Sequence, residues 1–282
     1  MIYKPCVTIG EACCNHCGKF DLALEMIKVA KLSDVDFVKF QKRVPEESVP
    51  KEWQDKPHPN SQYAFGKTYL EHRKALEFTL EQHKKLFEYC KEVGVKYSCS
   101  TWDIISAREI ISLNPDYIKV PSAANTFYPM LDVLFNEYKG DIHISIGMIT
   151  NDEKKELFSY LSRHLNRTVV YWAVTEYPVP FDRLCLLEIK KLKEVFPRVG
   201  YSGHNLGIAV DIVSYCLGAE YIERHFTLDR TFPTTDASAS LEPEGLRKLC
   251  RDLKAAYKAL TYKNVELTEK EIEHRKKLKV NQ

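Results

Sequence analysis

Neither sign of charge is in excess in this chain: Lys and Arg total 41 against 39 acidic residues, a formal net charge of +2. Nucleic-acid or anionic-membrane partners are therefore not expected, since both call for a basic excess gathered on one face. No apolar run approaches the roughly 18 residues of a membrane span. The opening Met1-Ile2-Tyr3-Lys4-Pro5 lacks the apolar region of a secretory signal. Internal repeats and low-complexity tracts are absent as well. Nine cysteines, an odd number scattered over 282 residues, argue against a disulfide framework and for reduced thiols. The expectation is a cytoplasmic protein with one core, most consistent with an enzyme.

What is present supports that core. Hydrophobic residues make up 44% and charged residues 28%, enough for a large buried interior and a well-solvated surface. Short β-branched or aromatic runs recur at Val7–Gly10, Phe37–Gln41, Lys96–Ser100, Tyr117–Pro121, Ile142–Ile146, Thr168–Ala173, Val199–Ser202 and Tyr221–Phe226. Between them apolar residues fall at helical spacing, as at Leu80, Phe87 and Cys90, or from Leu246 to Leu260. Eight strand–helix units in unbroken alternation predict a parallel α/β sheet, best closed as a (β/α)8 TIM barrel over residues 1–262, with an open doubly wound sheet as the alternative. Residues 43–75 break the alternation. Their four prolines and the aromatics Trp53, Tyr63, Phe65 and Tyr69 predict a lid or contact surface after the second strand. Residues 263–282 form a charged extension, expected to be helical from Glu269 by Glu/Lys pairing.

In such a barrel the chemistry sits where strands end. Those positions read Glu11, Lys39 and Gln41, Ser100 and Thr101, Lys119 and Ser122, Ser145, then Thr175, Glu176 and Tyr177, Ser202 and His204, and finally Glu223 and His225. Packing alone would place Val, Ile and Leu there. Lys39 and Lys119 each interrupt a run destined for burial, which costs several kcal/mol unless an opposite charge is met. Each could pair with a carboxylate such as Glu11; the favoured expectation is that both converge on an anionic ligand, with Ser122 and Ser145 as donors. His204 and His225 end adjacent strands, which run about 4.8 Å apart. Together they predict a shared metal, with Glu11 and Asp236 as oxygen donors, and the mixed set leaves Mn2+, Mg2+, Fe2+ and Zn2+ open. Cys13-Cys14-Asn15-His16-Cys17 holds one C-x-x-C without a second pair, so reduced thiols packed in a loop are expected there in preference to a zinc or redox site.

The motifs resemble the sialic acid synthase family, the phosphoenolpyruvate-condensing nonulosonate synthases. The resemblance is carried by Glu11-x-x-x-Asn15-His16-x-Gly18, Val38-Lys39-Phe40-Gln41, Ser100-Thr101, Ile118-Lys119-x-x-Ser122, Ser145-Ile146-Gly147-Met148 and Tyr177-Pro178. Tyr201-Ser202-Gly203-His204, Glu223-Arg224-His225-Phe226-Thr227-Leu228-Asp229-Arg230 and Ala239-Ser240-Leu241-Glu242-Pro243 complete it over nearly the whole chain. It implies a barrel that joins phosphoenolpyruvate to the open-chain aldehyde of an amino sugar and releases phosphate. By position, His204 and His225 would hold a divalent metal, Mn2+ or Mg2+ first. Lys39, Thr101, Lys119, Ser122, Ser145 and Ser202 would grip phosphoenolpyruvate. Glu11 would position or deprotonate water, while Tyr177 and Asp236 would bind the sugar.

Several positions depart from the family pattern. Ala124 replaces a sugar-contacting glutamate, Trp172-Ala173-Val174-Thr175 an asparagine-bearing motif, Gly203 an aspartate, and Ala237-Ser238 a His-Lys pair. The family's antifreeze-like domain is not expected within this chain, which ends at Gln282. The resemblance implies a homodimer, and a separate antifreeze-like protein acting in trans is a further possible partner. Phosphoenolpyruvate and metal positions are kept and acceptor positions are altered, so the expected acceptor is an aldose other than plain N-acetylmannosamine. Two rivals stand beside this reading: a barrel lyase or aldolase using the same anion site, and a non-catalytic ligand-binding barrel.

Overall fold

The computed structural model describes residues 3–280. Eight parallel strands, β1 (Val7–Glu11), β2 (Phe37–Lys42), β3 (Lys96–Thr101), β4 (Tyr117–Val120), β5 (Asp141–Ser145), β6 (Thr168–Ala173), β7 (Val199–Gly203) and β8 (Tyr221–His225), pair in chain order. The sheet closes through β1 and β8, where Glu11 lies opposite His225. The closed (β/α)8 barrel expected from the alternation is the fold, and the open sheet is excluded.

Strand side chains alternate between the two faces of the barrel wall. Val38, Phe40, Cys99, Ile118, Val120, Ile142, Ile144, Val170 and Ile222 are fully buried in the main core between strands and helices. The helix Phe20–Leu32 meets that core with Ala23, Met26, Ile27 and Ala30, one stripe at helical spacing. Thr79 and Thr150 begin the helices Leu80–Val93 and Asn151–Leu161 with reciprocal capping boxes to Gln82 and Glu153. Such caps contribute about 1 kcal/mol each and fix where the chain leaves each loop.

Facing inward, the lower barrel is filled largely by aromatic side chains. Ile9, Phe37, Tyr117, Val169 and Tyr171 form one cluster with Val7 and Tyr221 against it. His143 stacks on Tyr117 with ring centroids 3.7 Å apart, and its Nδ1 hydrogen-bonds the Tyr171 hydroxyl at 2.8 Å. Gly200 makes room for this layer, since a Cβ there would stand 2.5 Å from the Tyr171 ring.

The segment 43–75 is built from short pieces: helices Pro45–Ser48 and Lys51–Gln54, a 3-10 turn Ser61–Tyr63, and a helix Tyr69–Leu76. Its last helix packs on the loop after β1. Gly18 there has φ +70°, and a Cβ would meet the Ala75 carbonyl oxygen at 2.1 Å, so only glycine permits the approach. His16 in that loop stacks on Phe78 with centroids 4.3 Å apart and is buried, a packing role. The charged extension carries the expected helix, Glu269–Leu278, capped by Thr268 and Glu271 and exposed throughout. Among the described residues, no helix is long and apolar enough to cross a membrane.

Candidate active site at the barrel mouth

Above the aromatic layer, the C-terminal strand ends surround a cavity of about 310 Å³. Glu11, Lys39, Lys119, Ser122, Ser145, Tyr177, Ser202, His204, His225 and Asp236 all line it. Each inward strand residue reaches the mouth because it sits one or two alternations above the aromatic layer. Lys39 follows Phe37, Lys119 follows Tyr117, and Glu223 and His225 follow Tyr221 on the same faces.

The two lysines are neutralised from within the protein. Lys39 Nζ pairs with Glu11, lies 3.7 Å from Glu223 Oε1 and donates to Ser100 Oγ at 2.6 Å. Lys119 Nζ lies 3.3 Å from Glu223 Oε2 and 3.2 Å from the centroid of the Tyr171 ring. Ser202 Oγ donates to Glu223 Oε1 at 3.0 Å, and Gln41 Nε2 donates to Glu11 Oε1 at 2.9 Å. The expectation that an anion must relieve the repulsion between the lysines is corrected: Glu11 and Glu223 relieve it. Burial acts to raise the Glu223 carboxyl, but Lys119, Lys39 and His225 overcome it and hold the group well below the usual carboxylate range. For Lys119, burial dominates over Glu223 and lowers the ammonium to about 8, whereas Glu11 and Glu223 outweigh burial at Lys39 and raise it.

Thr101 is a second correction. Its hydroxyl faces outward, 3.9 Å from Met130 Sδ in the helix Tyr128–Glu137, and it does not line the cavity. The alternation along β3 turns Ser98 and Ser100 inward, so Ser100 occupies the place expected of Thr101. Glu176 likewise points away and pairs with Arg183 at 3.0 Å. Ser122 begins the 3-10 turn Ser122–Ala124, where its Oγ accepts from the Gly147 amide at 3.1 Å and keeps its own O–H free to donate.

The rings of His204 and His225 are 5.3 Å apart between centroids, with Tyr177 4.2 Å from the former. His204 Nδ1 donates to the Val174 carbonyl at 2.7 Å, which leaves Nε2 as the free lone pair. Burial lowers this imidazole to about 3, so it is neutral near pH 7. His225 Nδ1 is buried without a hydrogen-bond partner and lies 3.9 Å from Asp236 Oδ2. Ligand atoms of Cys13, His225 and Asp236 all lie within 4.8 Å of one another. Asp236 accepts from the Cys13 and Cys14 thiols at 2.8 and 3.2 Å. Burial raises its carboxyl, but His225 and the two thiols reverse this and leave it below its ordinary value. An orphaned imidazole nitrogen beside a carboxylate and a sulfur fits a divalent cation. The grouping brings Cys13 and Asp236 to His225, where His204 had been expected as its chief companion.

Other lining residues had been assigned no chemical role. Glu223 gave the same signal as the lysines, a charge inside a run meant for burial, and is the hub of the ion pairs. His58, Tyr69 and Arg73 enter the cavity wall from the segment 43–75. Nothing in local periodicity shows which part of a long insert folds over the mouth. The lining carries three cations, Lys39, Arg73 and Lys119, and three carboxylates, Glu11, Glu223 and Asp236, so its formal charge sums to zero.

A parallel barrel with ionisable groups gathered at its C-terminal mouth defines a barrel enzyme, and comparison with known proteins makes the class definite. The chain belongs to the NeuB family, whose model matches residues 26–265, and is a transferase of the sialic acid synthase type. It is 35% identical over 259 residues to the N-acetylneuraminate-9-phosphate synthase of Homo sapiens, covering 91% of this chain and 71% of that protein. It is 32% identical over 262 residues to the N,N'-diacetyllegionaminic acid synthase of Campylobacter jejuni, covering 91% of this chain and 78% of that protein. The crystal structure of N-acetylneuraminic acid (sialic acid) synthetase from Leptospira borgpetersenii, in complex with citrate, is similar with a TM-score of 0.80 and 25% identity, covering 98% of this chain and 93% of that one.

Proposed function

We propose that this protein condenses phosphoenolpyruvate with an aldose, an N-acyl amino sugar or a relative of one, to give a nonulosonic or related 3-deoxy-2-ulosonic acid and phosphate. The observation that carries the reading is a single cavity in which Lys39, Lys119 and four serine hydroxyls surround space bordered by His204, His225 and Asp236. Lys39 and Lys119 bind the carboxylate and phosphate of phosphoenolpyruvate, aided by Ser100, Ser122, Ser145 and Ser202. Glu11 and Glu223 stand beside the reacting carbons and stabilise positive charge as it develops at C2.

As the enol carbon C3 bonds to the aldehyde carbon, the sugar oxygen takes up a proton from solvent water and C2 becomes an oxocarbenium. Glu11, oriented by Gln41 and Lys39, accepts a proton from the water that attacks C2. The tetrahedral C2 hydroxyl then passes its proton to the departing phosphate as the ketone forms, and Glu11 returns its proton to solvent, so that phosphoenolpyruvate, aldehyde and water sum to the ulosonic acid and phosphate. Tyr177, 41% exposed at the rim, faces the sugar. His225 and Asp236, with His204 beside them, would hold a divalent cation, which would supply Lewis acidity toward a carbonyl oxygen.

Incubation with phosphoenolpyruvate, a divalent cation and a panel of aldoses tests the reading. Phosphate release that requires both an aldose and the cation is expected, and Lys39→Met should abolish it. If no aldose supports release above a metal-free blank, even with an antifreeze-like domain protein added in trans, the synthase reading fails. One observation favours a second reading, a Schiff-base lyase: Lys119 is desolvated and lowered to about 8. Borohydride trapping of a keto acid on Lys119 would establish it; the ion pair with Glu223 opposes it.

A further inference from the structure

Cys13 is the unusual member of this mouth. It stands two residues beyond β1 with φ +45°, a left-handed conformation sparse among residues other than glycine. That conformation turns a buried thiol into the cavity, where Gln41 Nε2 donates to Sγ at 2.8 Å. Across the sulfur lie Asp236 Oδ2 at 2.8 Å and the imidazole of His225, only 7% exposed, whose Nδ1 has no hydrogen-bond partner. A sulfur, a nitrogen and an oxygen thus converge within 4.8 Å from three separate parts of the chain, the loop after β1, the end of β8 and the loop beyond it. Cys14 also touches Asp236, but it is absent from the cavity lining.

We propose that Cys13 is a thiolate ligand which, with His225 and Asp236, forms a sulfur–nitrogen–oxygen site selective for Zn2+, Co2+ or Fe2+ over Mg2+. Magnesium demands hard oxygen donors in near-octahedral array, whereas a thiolate favours softer transition metals. On binding, the S–H bond breaks, its proton passes to water and a sulfur–metal bond forms, with no change of oxidation state. Gln41 takes an outer role, its amide N–H holding the sulfur lone pairs in place. The proposal deepens the synthase reading by narrowing its cation; it rests on that reading for the cation's purpose but not for its binding.

Titration of the chelator-treated protein with Co2+ tests it without reference to turnover. The intact protein should show a near-ultraviolet sulfur-to-cobalt charge-transfer band that survives excess Mg2+. Cys13→Ser should lose the band and weaken Co2+ and Zn2+ binding by at least roughly tenfold, while Cys14→Ser keeps both. Should Cys13→Ser fold poorly, alkylation of the unmodified chain gives a second measurement: Zn2+ should protect Cys13 and leave the exposed Cys185 reactive. Absence of the band in the intact protein, its persistence in Cys13→Ser, displacement of Co2+ by equimolar Mg2+, or no protection of Cys13 by Zn2+ would each overturn the assignment. Phosphate release is scored separately. A band without turnover, even with an antifreeze-like domain protein added in trans, keeps this site and refutes the synthase, and turnover without a band does the reverse.

Discussion

The lower and upper halves of the barrel interior bury polar groups in opposite ways. Below, the Tyr171 hydroxyl and His143 Nδ1 satisfy each other within a packed aromatic layer, and the Tyr117 ring closes over the imidazole, although its own hydroxyl is buried without a hydrogen-bond partner. Above, Lys39, Lys119, Glu11 and Glu223 also pair, but around an open cavity beside an imidazole nitrogen left without a partner. A closed network serves stability. An open one gives up some stability so that a ligand can complete it. The sharpest way to break this contrast is Glu223→Gln, which leaves Lys119 buried without its counter-charge. Loss of about 3–5 kcal/mol of stability is expected, with at least roughly a thousandfold fall in phosphate release. Urea unfolding and a phosphate assay read the two separately. A destabilised variant with near-normal turnover would show that the upper network is merely structural.

Tyr171→Phe should behave in the opposite sense. It keeps the ring but strands the buried His143 Nδ1, costing about 1–3 kcal/mol, and kcat/KM should change less than about twofold, roughly 0.4 kcal/mol. A large kinetic defect at unchanged stability would erase the distinction between the halves. Arg73→Ala probes the rim. The structure pairs Arg73 with no carboxylate within ion-pair distance among the described residues, and its helix lies outside the barrel wall. Stability should move by less than about 0.5 kcal/mol, while KM for an anionic substrate rises about tenfold, or about 1.4 kcal/mol. An unchanged KM across phosphoenolpyruvate and every aldose would remove Arg73 from the site.

The same contrast explains what was legible in the sequence. The barrel could be read because eight buried runs alternated with amphipathic helices, and each side of that pattern is a local signal. Lys39 and Lys119 could be read because a charge inside a buried run has few benign explanations. Thr101 was misplaced because Ser100 and Thr101 are equally polar, and only the register of β3 decides which one turns inward. The Tyr117–His143–Tyr171 stack was not legible, since it depends on contacts across β4, β5 and β6. Cys13 looked like loop packing; its meaning emerges only when Asp236, 223 residues away in the chain, meets it across the mouth. Arg73 was equally hidden, because the docking of its helix depends on the Ala75 carbonyl of that helix meeting Gly18, far back along the chain.

The pH response of Lys119 offers the finest test, because activity and stability should respond with opposite signs. Burial lowers its ammonium from an ordinary value of 10.5 to about 8 in the folded protein. The cationic form is the one that attracts an anionic substrate, and kcat/KM reports groups of the free enzyme. Phosphoenolpyruvate kcat/KM should therefore be full below about pH 8 and fall about tenfold per unit above it. Stability runs the other way. Below pH 8 folded and unfolded chains both hold the proton, and the full cost of burying the charge is felt. Between about 8 and 10.5 the unfolded chain binds more protons, so this group's contribution to stability rises with pH. Lys119→Arg stays charged across the range and should flatten the kinetic descent. A wild-type profile already flat to pH 10 would mean that Lys119 does not meet the substrate as an ammonium, and the anion site would then rest on Lys39 and Arg73.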